Sequence, residues 1–140
     1  MRNCTLVGAK YILVDERLYC VNKNGKMNQN RAMQYCKELN AKLPLPVSSL
    51  EFEAFSKFSS PYTAWIGMSD PSNSGKKENW KDVQNEKPAY VKWDKTDPDG
   101  DGTAAYYNTT GVFDTDKSEN HLVVCVQKLP CEFSLKFQNY

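Results

Sequence analysis

Two helix-forming stretches stand close together early in the chain, and after them the sequence reads only as strands and polar loops. The first, "MNQNRAMQYCKELNA", can be capped by Asn28 or Asn30 and repeats Ala32, Cys36 and Leu39 at helical spacing on one face. The second opens on Ser48-Ser49-Leu50-Glu51, which has the form of a capping box, and runs to about Phe58. Its spacing predicts an inner face of Leu50, Ala54 and Phe58, with Phe52 and Phe55 near it. Between the helices "KLPLPV" is an extended link punctuated by proline. Ahead of them "KYILVDE" is a β-rich strand that "RLYCV" can continue or pair with, and "NKNGK" is turn chemistry with Asn24-Gly25 at the corner. Behind them "TAWIGM" is an apolar strand. "HLVVCV", His121 to Val126, is a wholly apolar strand of the kind found in a sheet centre. Strand, helix, helix, then strands with long polar loops predicts an α+β domain. At 140 residues, without an internal repeat or linker, one domain is expected over residues 1–140.

Charge is the second constraint. The chain has a net charge of +1, yet Trp93–Glu119, "WDKTDPDGDGTAAYYNTTGVFDTDKSE", carries seven carboxylates against two lysines. Up to Trp93 the balance is the opposite, with fourteen Lys or Arg against nine Asp or Glu. Like charges this close repel, so their gathering calls for something that neutralises them. Oxygen-rich clusters suit calcium, which takes six to eight oxygens at about 2.3–2.6 Å. "DPDGDG" also matches the opening of an EF-hand loop through Asp97, Asp99, Asp101 and Gly102. Its twelfth position is Asn108 rather than a bidentate glutamate, however, and its flanks are not helical. The remaining reading is a solvated turn whose residues serve backbone geometry alone.

Other classes find little support. No basic tract exceeds Lys76-Lys77, so nucleic acid is not expected as a partner. No apolar run approaches the length of a membrane span, so membrane insertion is not expected either. "MRNC" lacks the apolar core of a signal peptide. Five cysteines, at 4, 20, 36, 125 and 131, form no CxxC pair and accompany a single histidine, which argues against zinc. Two disulfides and one odd thiol is the natural reading, and it points to an oxidising, extracellular setting. The sequons Asn3-Cys4-Thr5 and Asn108-Thr109-Thr110 lean the same way, towards a secreted glycoprotein. Catalysis is not expected. The carboxylates lie in a Gly-rich turn without the apolar burial that raises an acid's pKa, no nucleophile signature appears, and His121 reads as a satisfied core residue. Trp80 and Trp93 read as packing anchors in a polar stretch.

In their order and spacing, "AMQYC" followed by "KLPLPVSSLEFEAF", then "AWIGM", "YVKWDKTDPD", and "GVFDTD" leading to "HLVVCV", the chain resembles the C-type lectin-like domain, from about Lys10 to Lys128. The resemblance implies two helices flanking a small antiparallel sheet, with a long ligand-carrying loop from Ser69 to about Thr103. It implies a Cys36–Cys125 disulfide. It also implies an N-terminal Cys4–Cys20 bridge, which would leave Cys131 odd; the alternative, Cys4–Cys131, leaves Cys20. Either odd thiol could link two copies. The resemblance further implies Ca2+ held by Asp97 and Asp99 around Pro98, by Asp114, and by Asp101 or Asp116, with Asp97, Asp99 and Asp114 also meeting a glycan or glycoprotein. Three departures stand out. Ala104 and Ser118 occupy the places of the second disulfide. Phe113-Asp114-Thr115 replaces Trp-Asn-Asp. Gly102 or Thr103 stands where a glutamate is usual. Asp-Pro-Asp is neither the mannose-type Glu-Pro-Asn nor the galactose-type Gln-Pro-Asp, so the sugar is not assigned. The competing expectation is a lectin-like domain that binds a protein, with calcium structural or absent.

Overall fold

A computed structural model describes residues 10–14, 16–21 and 25–128. The N-terminal strands β1 (Lys10–Val14) and β2 (Arg17–Val21) form an antiparallel pair. Two helices follow, α1 (Gln29–Glu38) and α2 (Ser49–Ser59). Then come β3 (Ala64–Ser69), the short β4 (Lys81–Asp82), the hairpin β5 (Ala104–Asn108) and β6 (Gly111–Thr115), and β7 (Val124–Lys128). Two antiparallel sheets result, in the orders β1-β2-β7 and β4-β3-β5-β6. They are stitched together by a parallel bridge from Ala64 to Leu122. This is the α+β arrangement the element order predicts.

Both helices begin where local chemistry places them. The Asn28 side chain accepts from the Arg31 amide, and the Ser48 hydroxyl accepts from the Glu51 amide, each satisfying a donor that the first turn leaves unpaired. Helix α1 stops at Glu38, short of the expected Ala41. Asn40 takes a left-handed conformation (φ 57°), and the amides of Asn40 and Ala41 turn back to the carbonyls of Lys37 and Cys36. That is the Schellman ending, which asparagine tolerates better than most residues.

The predicted inner face of α2 is wrong. Leu50 is 74% exposed, whereas Phe52 and Phe55 are buried, with Phe58 only packed against the core. Two stripes at helical spacing interleave here, and the one with two fully buried phenylalanines wins on area removed from water. Phe52, Phe55, Tyr107 and Tyr19 form a ring cluster with centroids 4.9–6.1 Å apart. Glu51 goes inward too, because its carboxylate is met by the Arg17 guanidinium and the Val47 amide.

Strand β7 begins at Val124 rather than His121 and lies at an edge of its sheet, not the centre. Its outer rim is nevertheless paired, since Lys42 exchanges backbone hydrogen bonds with Val126 in both directions. An apolar strand can therefore end a sheet without an open ladder. Cys36 of α1 and Cys125 of β7 form a disulfide across a sequence separation of 89. Cys20, in register with Cys125, is buried, which removes it as a route to an intermolecular bond unless β2 opens. Cys4 and Cys131, and with them both expected N-terminal pairings, lie outside the described residues. So does most of the "NKNGK" turn, apart from Gly25 (φ +93°) and Lys26. No helix among the described residues is long and apolar enough to cross a membrane.

Candidate functional site

The long loop is closed at its base and pinned in its middle. The Asp70 amide donates to the Thr103 carbonyl at 3.0 Å, joining the two ends. Trp80 is buried and meets Trp93 edge-on, centroids 5.1 Å apart, and Trp93 bridges to Val112 of β6. The amides of Val112 and Asp94 complete that junction through the carbonyls of Lys92 and Val112. The tryptophans expected as anchors thus hold the loop where Ala104 and Ser118 supply no disulfide.

Past Trp93 the chain turns at Asp97-Pro98, a cis peptide bond, and runs back over β6. Gly102 lies so close to that strand that a Cβ built on it would stand 1.9 Å from the Thr115 carbonyl oxygen. The glutamate missing from this region could not be placed at 102 without prising the loop off the strand. The short Gly-rich run "DGDG" was the only signal of this close approach.

The approach puts the loop's amides over Asp114. Its carboxylate accepts from the backbone N–H of Asp99 (3.2 Å to each oxygen), Gly100 (2.9 Å) and Asp101 (3.0 Å). Asp114 itself is 4% exposed. Asp97, Asp99, Asp101 and Asp114 each bring one carboxylate oxygen within 4.8 Å of the others. Asp99 and Asp101 face solvent, Asp97 is half-buried, and Asp114 forms the floor. Asp116 is not part of the group. It lies beyond the end of β6, and its carboxylate accepts from the amide and hydroxyl of Ser118, both at 2.8 Å. Those bonds hold its pKa low.

The cluster's titration reflects its crowding. Contrary to the expectation that these acids lack the burial that raises a pKa, Asp97 is pushed up to about 7, by burial first, then by its hydrogen bond to Asp114 and the charges of Asp99, Asp114 and Asp94. Asp99 is also raised, by desolvation first and then by its bond to Asp114 and the neighbouring charge. Burial pushes Asp114 up as well, but hydrogen bonds from Asp97 and from the loop amides outweigh it and hold the group low. Burial and the crowding of like charge therefore raise the proton affinity of Asp97, which is hydrogen-bonded to Asp114. All four groups are hard oxygen donors of the type calcium takes, and three of them have solvent on one side, where water could complete a shell. The donor set fits the ion.

His121 stands apart from this chemistry. It is nearly buried, its Nδ1 lies 2.6 Å from the Thr63 hydroxyl and its Nε2 2.9 Å from Glu119, and it packs on Tyr106 and Trp65.

Residues 25–127 match the Lectin C-type domain family. That is well over half of the chain, and the protein belongs to this family. The mouse scavenger receptor C-type lectin carbohydrate-recognition domain superimposes with a TM-score of 0.75 at 17% identity, covering 86% of this chain and 95% of that one. The cow C-type carbohydrate-recognition domain of CD23, solved in the presence of a GlcNAc2Man3 oligosaccharide, gives 0.75 at 21% identity over 91% and 100%. A calcium-independent type II antifreeze protein gives 0.70 at 18% identity over 88% and 95%. At these identities the likeness speaks for the fold alone. No curated protein matches the sequence significantly.

Proposed function

We propose that this chain is a secreted, calcium-dependent carbohydrate-binding module, with Asp97, Asp99, Asp101 and Asp114 as the residues that hold the ion. The observation that carries this reading is the convergence of four carboxylates on one point, above a floor carboxylate already clamped by three loop amides. Repulsion opposes such a gathering, and a divalent cation reverses its sign. When bound, calcium supplies positions that vicinal sugar hydroxyls can complete. The chain's own part is to orient the carboxylates and accept the hydroxyl protons. Ionised around a bound cation, Asp97 and Asp99 would offer acceptors only, since neither carries an amide donor, which favours a ligand that presents hydroxyl protons to both sides. The partner is a glycan or glycoprotein, as the murine dendritic cell inhibitory receptor 2 lectin domain, solved in complex with an N-glycan, illustrates for that protein. Catalysis is no part of this reading: His121 is already engaged by Thr63 and Glu119, and the carboxylates lie in an open turn.

A melting curve with calcium against chelator tests the proposal. An ion at about one hundred times its dissociation constant stabilises by about 2.7 kcal/mol. The melting midpoint should rise, Asp99→Ala should abolish the rise, and chelator should abolish retention on immobilised glycans. Equal midpoints in calcium and chelator, together with a silent glycan array, reject the reading. That outcome leaves the second reading, a protein-binding lectin-like domain. One observation favours it: both oxygens of Asp114 already accept from the backbone, so the loop is held without an ion.

A further inference from the structure

The sequon Asn108-Thr109-Thr110 falls on the turn between β5 and β6, a place where the fold leaves an asparagine side chain open to solvent. Thr109 and Thr110 are exposed and Asn108 is half-exposed. The Asn108 side-chain oxygen accepts from the Thr110 amide (2.8 Å) and the Thr110 hydroxyl (2.6 Å). Among the described residues its Nδ2 donates no hydrogen bond, so the nitrogen points away from the turn's own network. Directly across the ladder stands Gly111, against whose Cα side the Lys92 carbonyl and Asp94 backbone pack, so the open side of Asn108 is the turn's outer edge at Thr109 and Thr110. Residues on a strand alternate faces, so Asn108 shares a face with Tyr106 and Phe113, while Asp114, opposite Ala105, lies on the other.

We infer that Asn108 is an N-glycosylation site whose glycan projects outward from the tip of the β5–β6 hairpin. In the step itself, the Asn108 amide nitrogen bonds to the anomeric carbon of a lipid-pyrophosphate-linked oligosaccharide. The bond from that carbon to the pyrophosphate oxygen breaks, the lipid pyrophosphate leaves, and the amide gives up one proton to the transferase's base. The hydroxyl of Thr110 is the group the sequon requires, and here it already touches the amide oxygen. A glycan at this position lies beside the half-buried pair Tyr106 and Phe113, stacked at 5.1 Å, and screens their outer edge from solvent.

The inference rests on passage through a secretory pathway, so the test imposes that passage with an added leader in a eukaryotic host. The secreted wild-type chain is digested with peptide N-glycosidase in heavy-oxygen water and mapped by mass spectrometry. The expected result is conversion of Asn108 to an oxygen-labelled aspartate, with loss of the corresponding mass shift in Asn108→Gln and Thr110→Ala. Asn3→Gln should leave the Asn108 label in place, separating the two sequons. An unlabelled Asn108 peptide from a secreted chain with a cooperative melt overturns the inference. Because mapping uses the wild type, poor folding of a variant cannot decide the outcome, and neither can the calcium response.

Discussion

Replacing Asp114 with alanine in the absence of calcium separates what this carboxylate does for the fold from what it does for a ligand. It is 4% exposed and accepts from the amides of Asp99, Gly100 and Asp101. Hydrogen bonds to a charged acceptor are worth more than neutral ones, but the loop side of this group is partly wet, so about 1 kcal/mol each is a fair figure. The three together give about 3 kcal/mol. Removing one negative charge from a group of four relieves some repulsion and lets Asp97 lose its proton more easily, which returns part of that sum. The net expectation is a loss of about 2 kcal/mol, or roughly 8 °C in melting midpoint at about 4 °C per kcal/mol for a chain of this length. Urea unfolding in chelator measures it, and the same variant in calcium should show no recovery. A variant as stable as the wild type in chelator, or more so, would mean that repulsion outweighs the amide clamp. The loop would then have to be held open by its own charge until an ion arrives, and the reasoning given for its geometry would fail.

Three further outcomes follow from the scaffold. Cys36→Ala with Cys125→Ala opens a loop of 89 residues in sequence separation and should cost about 4–5 kcal/mol by the chain-entropy account, read by urea unfolding; a loss under about 1 kcal/mol would refute it. Phe55→Ala should cost about 3–5 kcal/mol and Leu50→Ala no more than about 0.5, since one is fully buried and the other largely exposed; comparable losses would restore the rejected helix face. Burial first of all pushes the His121 pKa below its ordinary value, while Glu119 pulls it back only in part. The folded form then binds fewer protons than the unfolded chain just below pH 6.5, so stability contributed by neutral His121 is present above that pH and lost as pH falls below it. In chelator, His121→Gln should flatten this part of the stability profile relative to the wild type, and unchanged slopes from pH 5 to 6.5 would sink the assignment.

What could be read in the sequence was local or additive. The caps at Asn28 and Ser48 depend on hydrogen bonds three residues long, so the sequence alone marks them. The density of carboxylates is a sum over one stretch, and it pointed to the right loop. Two of the misreadings hinge on partners far away in the chain. Which face of α2 turns inward is decided in part by Arg17, which meets Glu51 from 34 residues away. The edge position of β7 is made tolerable by Lys42, whose pairing with Val126 no pattern within "HLVVCV" reveals. Asp116, which shares strand parity with Asp114, reads in the sequence as an alternative to Asp101, and that misreading is local. The distinction comes from β6 ending at Thr115, after which Asp116 caps a turn through Ser118.

These points bear on how a loop can keep its shape after losing a disulfide that its fold family commonly has. A cross-link there would limit the unfolded loop, whereas here the folded loop is held by several modest contacts: Trp93 on Trp80 and β6, the Asp70 amide on Thr103, Gly102 against Thr115, and three amides on Asp114. None of these needs a cation. On the proposed reading an ion would meet this site already shaped, so its binding would be opposed by little ordering entropy and by the raised proton affinity of Asp97. The same economy explains how one backbone could serve either reading of function. With an ion, calcium would coordinate hydroxyls whose protons the carboxylates of Asp97 and Asp99 accept; without it, the loop is still a fixed, acidic, solvent-facing surface against which a basic protein segment could dock. The choice between the two lies in whether a divalent ion binds at the four carboxylates, and not in whether the loop folds.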